Sequence, residues 1–313
     1  VMQRNLANDI LKLILAVMVI GLHTDFLIET STIGTHLTVN GIFRTAVPIF
    51  FVINGYYLSS ALKDKQGFID WAKRIVLAYA FWMAVYLPFY FPLHEASLIS
   101  ALWKLFRHII FGYYHLWYLC GLLYAVTLLY ILRKKSDKSL VIIAVSLFLI
   151  GTVIQYYIYY NKIILSYYLY RHFLFFAFPM VTAGYLIRKG YGSTISDKTA
   201  RLLVLVGYLG LLTESIISLL YRTDNRGFDI YLFLILFCPM VFLVANRSTS
   251  TISHDHLSKL SSAIYFLHPL FIWAAGKFFH IPSGTMVFLF SLTLCLVFYY
   301  PLFLLSKKLK FIL

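Results

Sequence analysis

The sequence predicts an all-α membrane protein, a bundle of about ten transmembrane helices with one amphipathic helix at the membrane surface. Hydrophobic residues make up 61% of the chain and the mean hydropathy is +0.81, whereas soluble domains are only about 45–50% apolar. The net charge of +15 comes from short Lys and Arg clusters between apolar runs. Such clusters are typical of topology signals and argue against a nucleic-acid partner. No linker or soluble-length insertion interrupts the runs, so we predict one domain over residues 1–313.

Ten apolar runs approach the roughly 20 residues that one crossing of a bilayer needs. They lie at 10–29, 41–62, 73–92, 115–133, 139–160, 169–187, 201–221, 229–246, 262–280 and 284–306. Between the third and fourth runs, Glu95 to Phe111 repeats apolar residues at helical spacing beside Lys104 and Arg107. This pattern predicts a helix lying on the membrane surface.

The distribution of Lys and Arg supports this count and orients the chain. With ten crossings, the segments on one side hold 19 basic residues and those on the other side hold 7. Cytoplasmic segments carry the excess of positive charge. We therefore predict a multi-pass protein with both termini in the cytoplasm.

The first run contains polar residues that a lipid-facing helix would avoid. Lys12 and His23 are roughly 16 Å apart along one helix, and Asp25 follows closely. A charge at the bilayer centre costs about 3 kcal/mol or more, so such residues face a bundle interior or a wet cavity and indicate a functional site. The alternative is a snorkelling Lys and a His bonded to a neighbouring helix.

Further polar residues are predicted in the outer half of the membrane. Those with candidate roles are Arg44, His115, Arg171 and Glu214. Glu214 is isolated in its own helix and needs a partner, for which Arg44, Arg171 and His23 are the candidates. Because His23 and Asp25 are two residues apart and point to opposite sides of a helix, we expect Glu214 to orient His23. A polar network that only holds helices together remains the alternative.

The predicted cytoplasmic side offers a different chemistry. Lys12, Lys73 and Arg74 are placed to hold a phosphorylated ligand by charge and hydrogen bonds, although a positive cluster is common on this side. His268, beside the helix-kinking Pro269, is predicted in the inner half of its run, either lining a cavity or satisfied within the core. The three cysteines lie in apolar runs without metal-ligand spacing, so neither a disulfide nor a metal site is indicated.

These residues together resemble acyltransferase family 3, whose members are ten-helix membrane enzymes that O-acylate cell-envelope glycans with cytoplasmic acyl-CoA. Asp9, Lys12 and His23 match the family's motif in the first helix. The family usually has Arg at the position of Lys12, and Lys keeps the charge but cannot form the paired hydrogen bonds of a guanidinium group. Other segments match in the same order. They are residues 44–58, Lys73 and Arg74, and residues 115–119, 171–187 and 265–270. Within the family, the residues around His23 and at 44–58 most resemble the membrane domain of vancomycin-resistance serine racemases. The racemase half of those proteins has no counterpart in these residues.

The resemblance implies a bacterial cytoplasmic-membrane enzyme with His23 as general base, and with Glu214 or Asp25 orienting it. Lys12, Lys73 and Arg74 would bind the phosphates of acyl-CoA, and Arg44 or Arg171 would stabilise the thioester oxyanion. The implied co-substrate is acetyl-CoA, with succinyl-CoA as the alternative, and no cofactor is permanently bound. The acceptor would be a glycan hydroxyl, and the sequence leaves the oligomeric state open. The rival functions are a transporter of an amino acid such as serine or of a lipid-linked sugar, and a non-catalytic assembly or sensor protein.

Overall fold

The computed structural model describes residues 4–91, 97–163, 170–221 and 228–313, and within them the fold is almost entirely helical. The α-helices are α1 Leu6–Leu22, α2 Thr32–Val39, α3 Ala46–Tyr57, α4 Lys65–Val85, α5 Leu87–Tyr90, α6 Leu98–Phe111, α7 Trp117–Leu132, α8 Asp137–Tyr160, α9 Phe178–Arg188, α10 Asp197–Tyr221, α11 Leu234–Asn246, α12 His256–Lys277 and α13 Gly284–Lys308. Strands β1 Arg4–Asn5 and β2 Thr251–Ile252 pair antiparallel. Glu95, Arg222 and Arg226, used in the sequence predictions, lie outside the described residues.

Five of the described helical segments are long and apolar enough to cross a membrane. They are Thr32–Tyr57, Tyr114–Leu132, Asp137–Tyr160, Asp197–Leu220 and Gly284–Lys308. The prediction of a helical, multi-pass membrane protein is therefore supported. The count of ten crossings, the single domain and the orientation stay predictions.

Helix α1 lies between two groups of buried side chains. Leu15 and Val19 belong to one hydrophobic cluster, whereas Ala16 and Ile20 belong to the other. Residues four apart share one face of a helix, so α1 contributes a stripe to each cluster. This central position lets polar residues near both ends of α1 face enclosed space.

The first helix is shorter than the predicted run of residues 10–29. It begins after Asn5, whose side chain accepts a hydrogen bond from the Asn8 amide, and ends at the C-cap residue His23. Beyond it, Asp25 and Leu27 have left-handed backbone angles of φ 48° and 71°. A left-handed conformation does not continue an α-helix, so the chain turns and His23 is left at the helix end.

Two helix interruptions place arginines near His23. The predicted second span begins at Thr32, earlier than residue 41, and a 3-10 turn at Ile42–Thr45 separates α2 from α3 and carries Arg44. A π-helical turn at Phe173–Ala177 precedes α9 and follows Arg171. Helices α3 and α9 pack closely at Gly184, where a Cβ atom would lie 1.9 Å from the Val52 carbonyl oxygen. The close contact brings the two interruptions together.

Helix α6 matches the predicted amphipathic segment. Ser97 and Ser100 form a capping box at its start, and the Leu98 and Ile99 side chains are 75% and 81% exposed. A helix that combines a wide apolar face with the charged residues Lys104 and Arg107 suits a membrane surface. The helix ends at Gly112, whose φ of 84° directs the chain toward the residues around His23.

Candidate functional site

Two cavities lie at different levels of α1. The first, here called the His23 cavity, has a volume of about 660 Å³ and is lined by His23, Asp25, Arg44, Tyr114, Arg171 and Asp229, among others. The second, here called the Lys12 cavity, has a volume of about 1080 Å³ and is lined by residues that include Arg4, Asp9, Lys12, Arg74, Arg188 and His254. Ligand sites commonly measure about 300–1,000 Å³, so each cavity is large enough for a small molecule.

The two cavities meet at Val19 and Val47, which line both of them. Val19 lies four residues before His23 and seven after Lys12, which corresponds to about 6 Å and 10 Å along the helix axis. A ligand that occupied both cavities would therefore pass between two apolar side chains. Lys12 and His23, the two polar residues that the sequence singles out in the first helix, thus line separate cavities that share Val19 and Val47.

Tyr114 is the hydrogen-bond partner of His23. Its hydroxyl group lies 2.9 Å from Nδ1 of His23, with the ring centroids 4.7 Å apart. Tyr114 adopts a left-handed backbone with φ 46°, two residues after the left-handed Gly112. These two turns aim the tyrosine at the end of α1. Tyr114 was not predicted from the sequence, because an aromatic residue among many gives no distinguishing signal.

Two more imidazole rings lie behind His23. The His268 ring stacks on it at 5.3 Å with an interplanar angle of 22°, and the His115 ring lies 5.4 Å from that of His268. His268 was predicted in the inner half of its run, away from His23. Because α12 begins at His256 rather than at residue 262, the residue lies farther along its helix than expected.

Glu214 lies elsewhere, contrary to the expectation that it orients His23. Its carboxylate accepts hydrogen bonds from the amides of Leu232 at 2.8 Å and Phe233 at 2.9 Å and from the Tyr156 hydroxyl. This buried carboxylate holds the backbone just before α11 in place, which is a structural role. Asp25 does line the His23 cavity, but no described hydrogen bond joins it to His23.

Arg44 and Arg171 meet at Asp229 rather than at Glu214. They donate to the same carboxylate oxygen, at 2.7 Å and 3.0 Å. Asn40 also accepts from Arg44 at 2.9 Å, and the Arg171 guanidinium lies 5.0 Å from the centre of the Trp117 ring. Asp229 was overlooked as a site residue, although its position at the start of an apolar run could have indicated it.

In the Lys12 cavity, a buried carboxylate forms ion pairs with two cationic side chains. Asp9 is 2% exposed and accepts from Arg4 at 2.9 and 3.0 Å and from Lys12 at 3.2 Å. Lys12 also lies 3.3 Å from the Ser258 hydroxyl. The predicted residues Lys12 and Asp9 are thus brought together.

Both residues of the predicted basic pair are exposed, but only Arg74 lines the Lys12 cavity, and Lys73 is not among its lining residues. Arg188 also lines this cavity, although from the sequence it was counted only among the basic residues that indicate topology. It donates to the Tyr56 hydroxyl at 3.1 Å. No group of His, Cys, Asp or Glu in the described part of the chain is arranged to hold a metal ion.

Comparison with known proteins places this architecture in a class of membrane proteins. A family model described as an acyltransferase domain matches residues 5–304. The chain therefore belongs to acyltransferase family 3, which confirms the resemblance seen in its motifs.

The curated relatives are named as racemases rather than as acyltransferases. The chain is 29% identical over 303 residues to a serine/alanine racemase of Enterococcus gallinarum, covering 88% of the chain and 42% of that protein. It is 26% identical over 292 residues to an amino-acid racemase of Enterococcus faecalis, covering 84% and 40%. The chain thus spans about two fifths of these relatives. The search of solved structures found no match.

Proposed function

We propose that the protein is a membrane O-acyltransferase that moves an acyl group, acetyl above all, from cytoplasmic acyl-CoA to a hydroxyl of a cell-envelope glycan or another extracytoplasmic carbohydrate. One observation carries the proposal. A cation-lined cavity and a histidine-lined cavity lie along the same helix and meet at Val19 and Val47. A reaction whose donor and acceptor approach from opposite sides of a membrane needs such an arrangement.

The Lys12 cavity would take the acyl-CoA. Lys12, Arg74 and Arg188 supply positive charge and hydrogen-bond donors suited to phosphate groups, and Asp9 holds Lys12 in place. Lys73 has no part in this proposal, because it lies outside the cavity. The thioester arm would extend past Val19 and Val47 toward His23.

In the His23 cavity, His23 would act as general base. It takes the proton of the acceptor hydroxyl while the hydroxyl oxygen attacks the thioester carbonyl. The carbon–sulfur bond then breaks, and the thiolate of CoA leaves with the proton that His23 returns. Tyr114 would hold the imidazole in position, and Arg44 or Arg171 would stabilise the oxyanion. Glu214 has no role at His23 in this proposal, because its carboxylate accepts from the amides of Leu232 and Phe233, just before α11.

A second candidate is a transporter of an amino acid such as serine. The relatives named as serine/alanine and amino-acid racemases favour it. The His23 cavity also carries both signs of charge, from Arg44 and Arg171 and from Asp25 and Asp229, which suits a zwitterion. This function needs no acyl donor, so one experiment separates the two. No structural observation in the described residues favours a lipid-linked sugar as the cargo.

The deciding experiment is transfer of radiolabel from acetyl-CoA to extractable envelope glycan in membranes that contain the wild type or His23→Gln at matched expression. His36→Gln is the control, since His36 is a buried histidine that bonds to Ser218 at 2.9 Å and lines neither cavity. We expect label with wild type and control and none with His23→Gln. If folded wild type transfers neither acetyl nor succinyl groups, acyl transfer is refuted and serine uptake is tested next.

A further inference from the structure

The buried histidines behind His23 are not explained by the proposed reaction. His268 is fully buried and His115 is 2% exposed. Nε2 of His268 and both ring nitrogens of His115 have no hydrogen-bond partner within the described residues. Buried polar atoms are normally paired, and exceptions often mark functional positions. Three such atoms in adjacent rings, next to the proposed base, therefore require a reason.

The proton on His268 can be assigned from its surroundings. Nδ1 lies 3.0 Å from the carbonyl oxygen of Ile264. A carbonyl oxygen only accepts, so Nδ1 carries the proton and Nε2 presents a lone pair. The ring is thereby held in one neutral tautomer, stacked on His23.

Among the described residues, no carboxylate is hydrogen-bonded to His23 to balance the positive charge that it would gain as a base. Its described hydrogen-bond partner is the neutral Tyr114 hydroxyl, and Glu214 is bonded elsewhere. The unprotonated nitrogen of a neutral imidazole carries a partial negative charge, which stabilises a positive charge a few ångströms away. A positive charge on His268 would instead repel the imidazolium of His23. The neutral tautomer of His268 avoids this repulsion.

We propose that His268 is a positioning residue for His23. Its stacked neutral ring fixes the plane of the His23 imidazole, and the partial negative charge on its unprotonated Nε2 stabilises the imidazolium that forms during transfer. His115, in edge-to-face contact with His268 at 5.4 Å, holds the second ring in place from behind. The inference rests on the proposed function, because it takes His23 as the base.

The test uses purified full-length protein and measures the thermal midpoint, the KM for acetyl-CoA and kcat. His268→Phe keeps an aromatic ring of similar shape but removes both nitrogens. We expect a midpoint close to that of the wild type, since the lost bond from Nδ1 to Ile264 and the removal of an unpaired buried nitrogen have opposite effects. We also expect an unchanged KM and a kcat lower by about tenfold or more. His268→Gln places an amide oxygen near the position of Nε2 and should recover part of kcat.

His36→Phe is the matched control. It removes a buried imidazole that is bonded to Ser218, so we expect a lower midpoint with unchanged kcat. The inference is overturned if His268→Phe keeps the wild-type kcat. It is also overturned if His268→Gln is as slow as, or slower than, His268→Phe in folded protein, because then only ring packing matters. Failure of wild-type transfer, or transfer that survives His23→Gln, would instead refute the proposed function itself.

Discussion

The hydroxyl group of Tyr114 lies 2.9 Å from Nδ1 of His23, so a residue in the 3-10 turn before α7 orients the imidazole at the end of α1. If His23 is the base, this bond fixes which nitrogen faces the acceptor. Tyr114→Phe keeps the ring and removes only the hydroxyl. We expect kcat to fall by about tenfold, the effect of one hydrogen bond, with unchanged acyl-CoA binding. Steady-state kinetics of Tyr114→Phe would measure both, and a wild-type kcat would exclude the orienting role.

The contact between the cavities at Val19 and Val47 predicts where a larger side chain blocks the thioester arm. Val47→Phe should leave acyl-CoA binding at the Lys12 cavity intact but lower transfer by about 100-fold, because a displacement of about 1 Å can have that effect. Val76→Phe is the control, since Val76 is 45% exposed on α4. Binding and transfer would be measured on the same preparations. Equal transfer by both variants would show that the arm does not pass Val47.

Arg74 and Lys73 are neighbours in sequence, but only Arg74 lines the Lys12 cavity. We expect Arg74→Ala to weaken binding of CoA by about tenfold, the contribution of one charge-assisted hydrogen bond. Lys73→Ala should bind like the wild type, although it removes the same charge. Calorimetric titration with CoA compares the two. Equal losses would indicate a general effect of charge near the membrane surface, and the cavity would not be the binding site.

Apolar length and charge predicted the helical membrane class, and the motif of Asp9, Lys12 and His23 predicted which residues share α1. Partners across helices were less predictable. Arg44 and Arg171 bind Asp229 instead of Glu214, because such pairing depends on the 3-10 and π-helical turns, which the hydrophobic pattern does not reveal. Tyr114 and the stacking of His268 were missed for a related reason. They depend on left-handed backbone at Gly112 and Tyr114 and on where α12 begins.

Glu214 should matter for stability rather than for catalysis. In Glu214→Gln one carboxylate oxygen becomes an amide group, which cannot accept from the amides of Leu232 and Phe233 together. Leaving a buried amide unpaired costs about 1–3 kcal/mol. We expect a lower thermal midpoint and a nearly normal kcat in the protein that remains folded. His23→Gln should show the reverse pattern. A severe loss of kcat at normal stability in Glu214→Gln would restore it as a catalytic candidate.

Glu29 joins the turn after His23 to the start of α13. Its carboxylate accepts from the Thr285 hydroxyl at 2.8 Å, and Leu27 donates its amide to the same hydroxyl oxygen at 3.0 Å. Hydrogen bonds from its own backbone amide and from Thr285 lower the pKa of Glu29 to about 2, from an ordinary 4.5. Because the pKa is lowered in the folded protein, the stabilisation is present above pH 4.5 and is lost as the pH falls toward 2. We expect Glu29→Gln to have a lower thermal midpoint than the wild type at pH 7, with the difference shrinking steadily between pH 4.5 and pH 2. Melting curves of both proteins across this range test the expectation, with Glu29→Asp as a control that keeps the charge on a shorter side chain. A difference that stays constant with pH would show that the carboxylate charge has no part in holding the turn.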